Sequence, residues 1–266
     1  MNLKTLTTQV AHLSKAIGHF IKNEVDSISE KDIRFKGLHD LVTYVDKESE
    51  KRIIDELSKI LPEAGFIAEE EQQLERAERF NWIVDPLDGT TNFVHGIPLY
   101  SVSIALSDKD EIISGVIYEA NRDECFTAWK NGGSYLNGKK IQVSSIETLN
   151  NSLLATGFPY YDYSLMSPYL GLFEDLMKTT QGIRRLGSAA VDLAYVACGR
   201  FEAFYEYGLH PWDVAAGTLI VDEAGGKVSD FKGGNDFVFG RQIVASNLLV
   251  HDEFLSKLNS FFGEYL

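Results

Sequence analysis

Cysteine is nearly absent from this chain of 266 residues: only Cys125 and Cys198 occur, far apart and with no motif around either. No disulfide framework can be read from them, and both are expected to be reduced, buried small residues. Positive charge is also scarce, with 25 Lys and Arg against 39 Asp and Glu, a net charge of -14. Phosphate backbones are bound by neutralising basic side chains, and no dense basic run appears, which argues against direct nucleic-acid contact. The balance suits a protein that gathers cations, although solubility accounts equally well for most of the acids. No apolar run is long enough to span a membrane, and Met1 to Val10 lacks the continuous apolar core of a signal peptide. The expectation is a cytoplasmic protein with no membrane partner. Internal repeats, low-complexity tracts and linkers rich in Pro, Gly and Ser are missing too. With 44% hydrophobic and 24% charged residues, disorder is excluded, and the chain is long enough to bury roughly three quarters of its unfolded surface.

What is present alternates between helical and strand-like patterns. Leu3, Leu6, Val10, Leu13, Ile17, Phe20 and Ile21 recur at spacings of three and four, predicting a long first helix, with a polar stretch from Asp26 to Gly37 after it. Leu41 to Val45 reads as a strand, followed by Asp46 and a helix that Pro62 stops. Gly65 to Ala68 and Trp82 to Val84 read as strands. Ser101 to Ser107, Ile112 to Glu119 and Cys125 to Lys130 follow, with a hairpin turn at Asn137-Gly138. Further on, strands are expected at 153–156, 183–186, 201–207 and 243–246. Helices are expected at 169–178, 188–198, 212–224 and from Asp252 onward. Interleaving of both types implies mixed α and β structure with helices layered on sheets. The expected organisation is a single unit over 1–266, with subdomains of roughly 1–150 and 151–266.

The most informative stretch is Asp85-Pro86-Leu87-Asp88-Gly89-Thr90-Thr91, directly after the apolar run Trp82-Ile83-Val84. A strand would deliver Asp85 to its carboxyl end, Pro86 would block further pairing, and Asp88 could point back to the same spot. Gly89 and Thr90 then open a helix whose first N–H groups are unpaired and welcome an anion. Carboxylates that hold a hard cation beside amides that hold a phosphate are the two halves of a metal-assisted phosphatase site. An ordinary turn with an Asp cap is the plain alternative. Other acids also stand where a strand yields to a loop or helix: Asp46, Glu69 and Asp213. Glu69-Glu70-Glu71 could be a solvated acidic run, and Asp213 and Asp46 could be helix caps.

These segments resemble the inositol monophosphatase family. Trp82 to Phe93 looks like its first signature, and Trp212-Asp213-Val214-Ala215-Ala216-Gly217 through Glu223-Ala224-Gly225-Gly226 resembles its second. Asp40-Leu41-Val42-Thr43 with Asp46, Phe66-Ile67-Ala68-Glu69-Glu70 and Gly187-Ser188-Ala189-Ala190 match in order and spacing, so the resemblance covers nearly the whole chain. It implies a layered αβαβα sandwich and two to three Mg²⁺ ions per subunit. One ion would be held by Glu69, Asp85 and the Leu87 carbonyl, and a second by Asp85, Asp88 and Asp213. It implies that water, oriented by Glu69 and Thr90, attacks phosphorus while the Gly89 and Thr90 amides steady the non-bridging oxygens. Lithium inhibition and a homodimer are further implications.

On the alcohol side, the resemblance brings Asp88, the Ala189 amide and Glu206 to the hydroxyls of the substrate, although Glu206 could be a strand-end surface charge. Lys36 matches a family lysine near the metals but reads equally well as an exposed loop residue. Arg184 and Arg185 could reach a second anionic group or pair with acids at a subunit interface. His95 and His210 are expected to pack or hydrogen-bond rather than ligate. Ala68 stands where glycine is common and Glu71 where a small polar residue is frequent, without consequence for metal binding. The implied substrate is inositol 1-phosphate or a related polyol or sugar monophosphate. A 3'(2'),5'-bisphosphate nucleotidase, a fructose-1,6-bisphosphatase or a histidinol phosphatase are alternatives. A protein-binding partner in ribosomal-RNA transcription complexes is the alternative of another class.

Overall fold

A computed structural model of the chain describes residues 1–27, 34–35, 41–71, 74–159 and 162–266. The order of elements is α1 (Leu3–Glu24), β1 (Arg34–Phe35), β2 (Leu41–Val42), α2 (Tyr44–Ile60), β3 (Gly65–Ala68), β4 (Phe80–Asp88), α3 (Thr90–Val94), β5 (Ser101–Asp108), β6 (Glu111–Glu119), β7 (Glu124–Trp129), β8 (Gly133–Leu136) and β9 (Lys139–Lys140). Then come β10 (Leu153–Thr156), α4 (Met166–Thr179), β11 (Gly182–Arg184), α5 (Ala189–Ala197), β12 (Ala203–Tyr207), α6 (Pro211–Glu223), β13 (Lys227–Ser229), β14 (Gln242–Ser246) and α7 (His251–Phe262). Apart from the short β1-β2 pair, two sheets form: seven strands in the order β3-β4-β5-β6-β7-β8-β9, and five in the order β11-β10-β12-β14-β13.

Period-two alternation sends each sheet's side chains into two different cores. Trp82, Val84, Val102, Ile104 and Tyr118 face the apolar stripes of α1 and α2, while Ile83, Ala105 and Ile117 face α5 and α6. In the second sheet Phe204, Ile243 and Ala245 join that same central layer, and Tyr205, Tyr207 and Val244 meet α4 and α7. The layers therefore run helix, sheet, helix, sheet, helix, which is the expected αβαβα sandwich. The central pair α5 and α6 touches a sheet on each side, so both helices are apolar nearly all round. Their packing is close: a Cβ on Gly115 of β6 would stand 2.7 Å from the Ala216 carbonyl oxygen of α6. Because the obstacle is backbone, Gly115→Val is expected to lower the unfolding free energy by about 1–3 kcal/mol. Urea denaturation monitored by tryptophan fluorescence measures it, and an unchanged midpoint would mean that α6 can retreat.

Local differences from the sequence expectations concern boundaries. The strand expected over Leu41 to Val45 stops at Val42, because Thr43 is a helix N-cap and α2 begins at Tyr44. Pro86 does not end its strand: β4 continues to Asp88 through a bulge, with Asp85 opposite Ser103 and Asp88 opposite Ser101 on β5. The strand expected over 183–186 is Gly182–Arg184, and β13 was not foreseen. The Asn137-Gly138 turn has both residues at positive φ, 49° and 77°, as a tight hairpin requires. Both cysteines are free, Cys125 buried and Cys198 half-buried. No helix among the described residues is long and apolar enough to cross a membrane.

Candidate active site

The parallel pairing of β3 with β4 places Ala68 opposite Val84, so Glu69, just past the end of β3, comes beside Asp85 of β4. Asp85 lies on the same face as Ile83, toward α6, and its Oδ1 accepts from the Leu87 amide at 2.9 Å. The bulge then turns the chain so that Asp88 reaches α5, where its Oδ2 accepts from the Ser188 hydroxyl (2.6 Å) and the Ala190 amide (2.8 Å). Gly89, at φ 96°, makes the corner and caps the single turn of α3. From the second half of the chain, α6 brings Asp213. It is not the N-cap, which is His210, but stands three residues on and accepts from the His210 amide at 2.7 Å. The Ser103 hydroxyl donates to the Trp212 carbonyl at 3.2 Å and so ties the start of α6 to β5. Glu206 points from β12 into the same space beside Gly157, where any Cβ would lie 2.0–2.1 Å from the Glu206 carboxylate.

Glu69, Asp85, Leu87, Asp88, Gly89, Thr90, Ala189, Glu206 and Asp213 all line one cleft of about 230 Å³. Burial raises the Asp85 carboxyl far above the ordinary range, and Glu69, Asp88 and Asp213 add to it. Asp213 is raised likewise by burial and then by Asp88. Asp88 is pushed up by burial to about 6, held there by the opposing bonds from Ser188 and the Ala189 and Ala190 amides. Glu206 is pushed by burial to about 8. Among the described residues no three of these groups already form a closed ligand cluster. They share one cleft, and the charge of Glu69, Asp88 and Asp213 disfavours ionisation of Asp85.

Two positions were read less well from sequence. Asp46 does not line the cleft, yet it is more than a cap. Its Oδ2 accepts from the Thr43 amide and hydroxyl (2.8 and 2.6 Å), while Oδ1 accepts from Thr90 Oγ1 at 2.8 Å. Thr90 Oγ1 also lies 2.9 Å from the Leu87 carbonyl, so its single proton has two acceptors. Arg184 is exposed, its guanidinium on the Ile183 carbonyl, and Arg185 is the one that lines the cleft. Ala189 lines the cleft at the start of α5, and a backbone hydrogen bond to Asp88 there comes from the Ala190 amide at 2.8 Å. Lys36 and Asp40 lie outside the described residues. Two residues escaped sequence reading altogether. Glu50 is buried on α2 and accepts from the Glu70 and Glu71 amides, both at 2.8 Å, which holds the turn after Glu69 and shows that this acidic run is anchored. Asp192 is a buried acid that lines the cleft from α5. Its signal was an acid inside the apolar run Ala189 to Ala197.

The chain matches the sequence profile of the inositol monophosphatase family over residues 2–261. It belongs to that family. Inositol-1-monophosphatase of Mesorhizobium japonicum is 41% identical over 242 residues, covering 91% of each chain. Nus factor SuhB of Pseudomonas aeruginosa is 41% identical over 239 residues, covering 88% of each. Among solved structures, the extragenic suppressor protein SuhB of Bartonella henselae superimposes with a TM-score of 0.89 at 39% identity, covering 97% of this chain and 98% of that one. An inositol monophosphatase from Anabaena gives 0.87 at 34% identity over 98% of both. Membership of the inositol monophosphatase family indicates a phosphatase, a hydrolase of phosphoric esters, and the layered sandwich is the family's fold.

Proposed function

We propose that this chain hydrolyses inositol 1-phosphate and related polyol or sugar monophosphates, with two to three Mg²⁺ ions bound among its acids. The observation that carries this reading is the convergence of Glu69, Asp85, Asp88 and Asp213 from separate parts of the chain on one cleft, where burial and the charge of the neighbouring acids raise Asp85 and Asp213. All-oxygen, mostly carboxylate donors suit a hard divalent cation, and mutual repulsion is what such a cation relieves, so the donor set fits Mg²⁺. Glu69, Asp85 and the Leu87 carbonyl would hold one ion, and Asp85, Asp88 and Asp213 another. Bound there, Mg²⁺ would lower the pKa of water and neutralise charge on the entering and leaving oxygens.

The protein's own groups orient the reaction. With its proton given to Asp46, Thr90 Oγ1 keeps its lone pairs to accept from a water in the cleft, and Glu69 stands ready to take that water's proton. The Gly89 and Thr90 amides, at a helix start with no intrahelical acceptor, donate to the non-bridging phosphate oxygens. Asp88 and Glu206 present acceptors to the hydroxyls of the alcohol. Thr90→Ala is expected to cut Mg²⁺-supported phosphate release by about 10²–10³-fold, as the loss of one positioned polar group does, whereas Thr90→Ser retains most of it. A panel of inositol, nucleotide and hexose phosphates assayed with Mg²⁺ tests the whole reading. Wild-type protein that released phosphate from none of them would end it. That relatives carry the name Nus factor supports a second reading, a protein partner in transcription complexes, which predicts assembly that persists in Asp85→Asn.

A further inference from the structure

Asp192 is a buried acid in this cleft to which the family resemblance gave no role. It is 1% exposed, sits one turn into α5 and shares a helix face with Ser188 and Ala189, at spacings of four and three. The rest of α5 is apolar. Its Oδ1 has no hydrogen-bond partner among the described residues, although the side chain lines the cleft. A buried oxygen left unpaired is costly, and a buried carboxyl that lines a cavity without its full set of partners calls for a donor from the cavity side.

The neighbours define that donor. Glu206 and Asp88 raise the negative field at Asp192, and the positive charge of Arg185 opposes it; both Glu206 and Arg185 line the same wall. A second phosphate would meet three carboxyl groups there, and a cationic group would meet the Arg185 guanidinium. Neutral hydroxyls, which donate to carboxyl oxygens and accept from guanidinium, satisfy both.

We infer that Asp192 is a specificity-determining residue of this cleft, its carboxyl accepting a hydrogen bond from a substrate hydroxyl and selecting hydroxyl-rich neutral alcohols over other phosphate esters. This rests on the phosphatase reading proposed above and names the part of it that chooses the alcohol. The test compares inositol 1-phosphate with phenyl phosphate, whose alcohol has no further hydroxyl, at saturating Mg²⁺. Asp192→Ala is expected to lower kcat/KM for inositol 1-phosphate about ten- to a hundredfold, mainly through KM, and to leave phenyl phosphate within about twofold. Asp192→Asn, nearly isosteric and with one acceptor kept, should show the same split with a smaller loss, and it decides the matter if the alanine variant does not fold. Equal losses on both substrates, or no loss on either, would overturn the assignment and leave Asp192 a purely structural residue. Wild-type protein inactive on both would instead remove the phosphatase reading itself.

Discussion

Asp85→Asn is expected to reduce Mg²⁺-supported phosphate release by about three orders of magnitude or more, while raising the melting temperature of the metal-free protein. Asp85 is crowded by the other acids: burial, Glu69, Asp88 and Asp213 all disfavour its charge. An amide removes that repulsion and keeps the carbonyl oxygen that accepts from the Leu87 amide. It also removes the group proposed to bridge both cations, and several kcal/mol of charge stabilisation go with it, at about 1.4 kcal/mol per tenfold in rate. Each kcal/mol of relieved repulsion is worth about 2–4 °C in a chain of this size. Calorimetry with and without Mg²⁺, beside a phosphate-release assay, checks both halves. A variant that stayed active, or one whose metal-free form melted lower than wild type, would show that the cluster is not what limits stability or chemistry.

The second large effect is on pH. Groups whose pKa is raised on folding stabilise the protein fully below the ordinary carboxylate range, and that contribution is lost as pH rises through the folded value, about 6 for Asp88 and about 8 for Glu206. Asp85 and Asp213, also raised well above the ordinary carboxylate range by burial and neighbouring acids, add to the loss. His251 works in the opposite sense at lower pH. Buried between the Ser229 and Ser246 hydroxyls, it is pushed down to about 4, so its contribution disappears as pH falls from 6.5 toward 4. The clean window is therefore above 6.5. Between pH 6.5 and 8.5 the metal-free protein is expected to lose on the order of 2 kcal/mol, from at least one proton over two pH units after discounting for relaxation. Saturating Mg²⁺ should restore it, with a larger rise in melting temperature at pH 8.5 than at 6.5 and with protons released on binding. A metal-free melting temperature that rose across this window would contradict the assignment of these carboxyls as mutually repelling and buried.

Much of this molecule was readable along the chain. The spacings of Leu3 to Ile21 and of Ile53 to Leu61 produced α1 and α2, since an apolar stripe at helical period has only one way to be buried. Trp82 to Val84 produced the strand that carries Asp85, and Asn137-Gly138 the hairpin, because a tight turn needs two residues that tolerate positive φ. The same local rules failed where long-range pairing overrode them. Pro86 was expected to stop β4, but the bulge leaves Pro86 and Leu87 without partners on β5, and the strand resumes at Asp88.

Residue order thus set the periodicities, the turns and the acids available, all of which depend on neighbours a few positions away. Which acids share a cleft was settled by strand register and sheet face. Glu69 meets Asp85 because Ala68 pairs with Val84, and Glu206 enters the central layer because it keeps the parity of Phe204. Asp192 arrives there because helix packing turns one stripe of α5 toward the cavity, and Arg185, unlike Arg184, lines it from just past the end of β11. Such choices are made through space, among residues a hundred positions apart, and no window on the chain contains them.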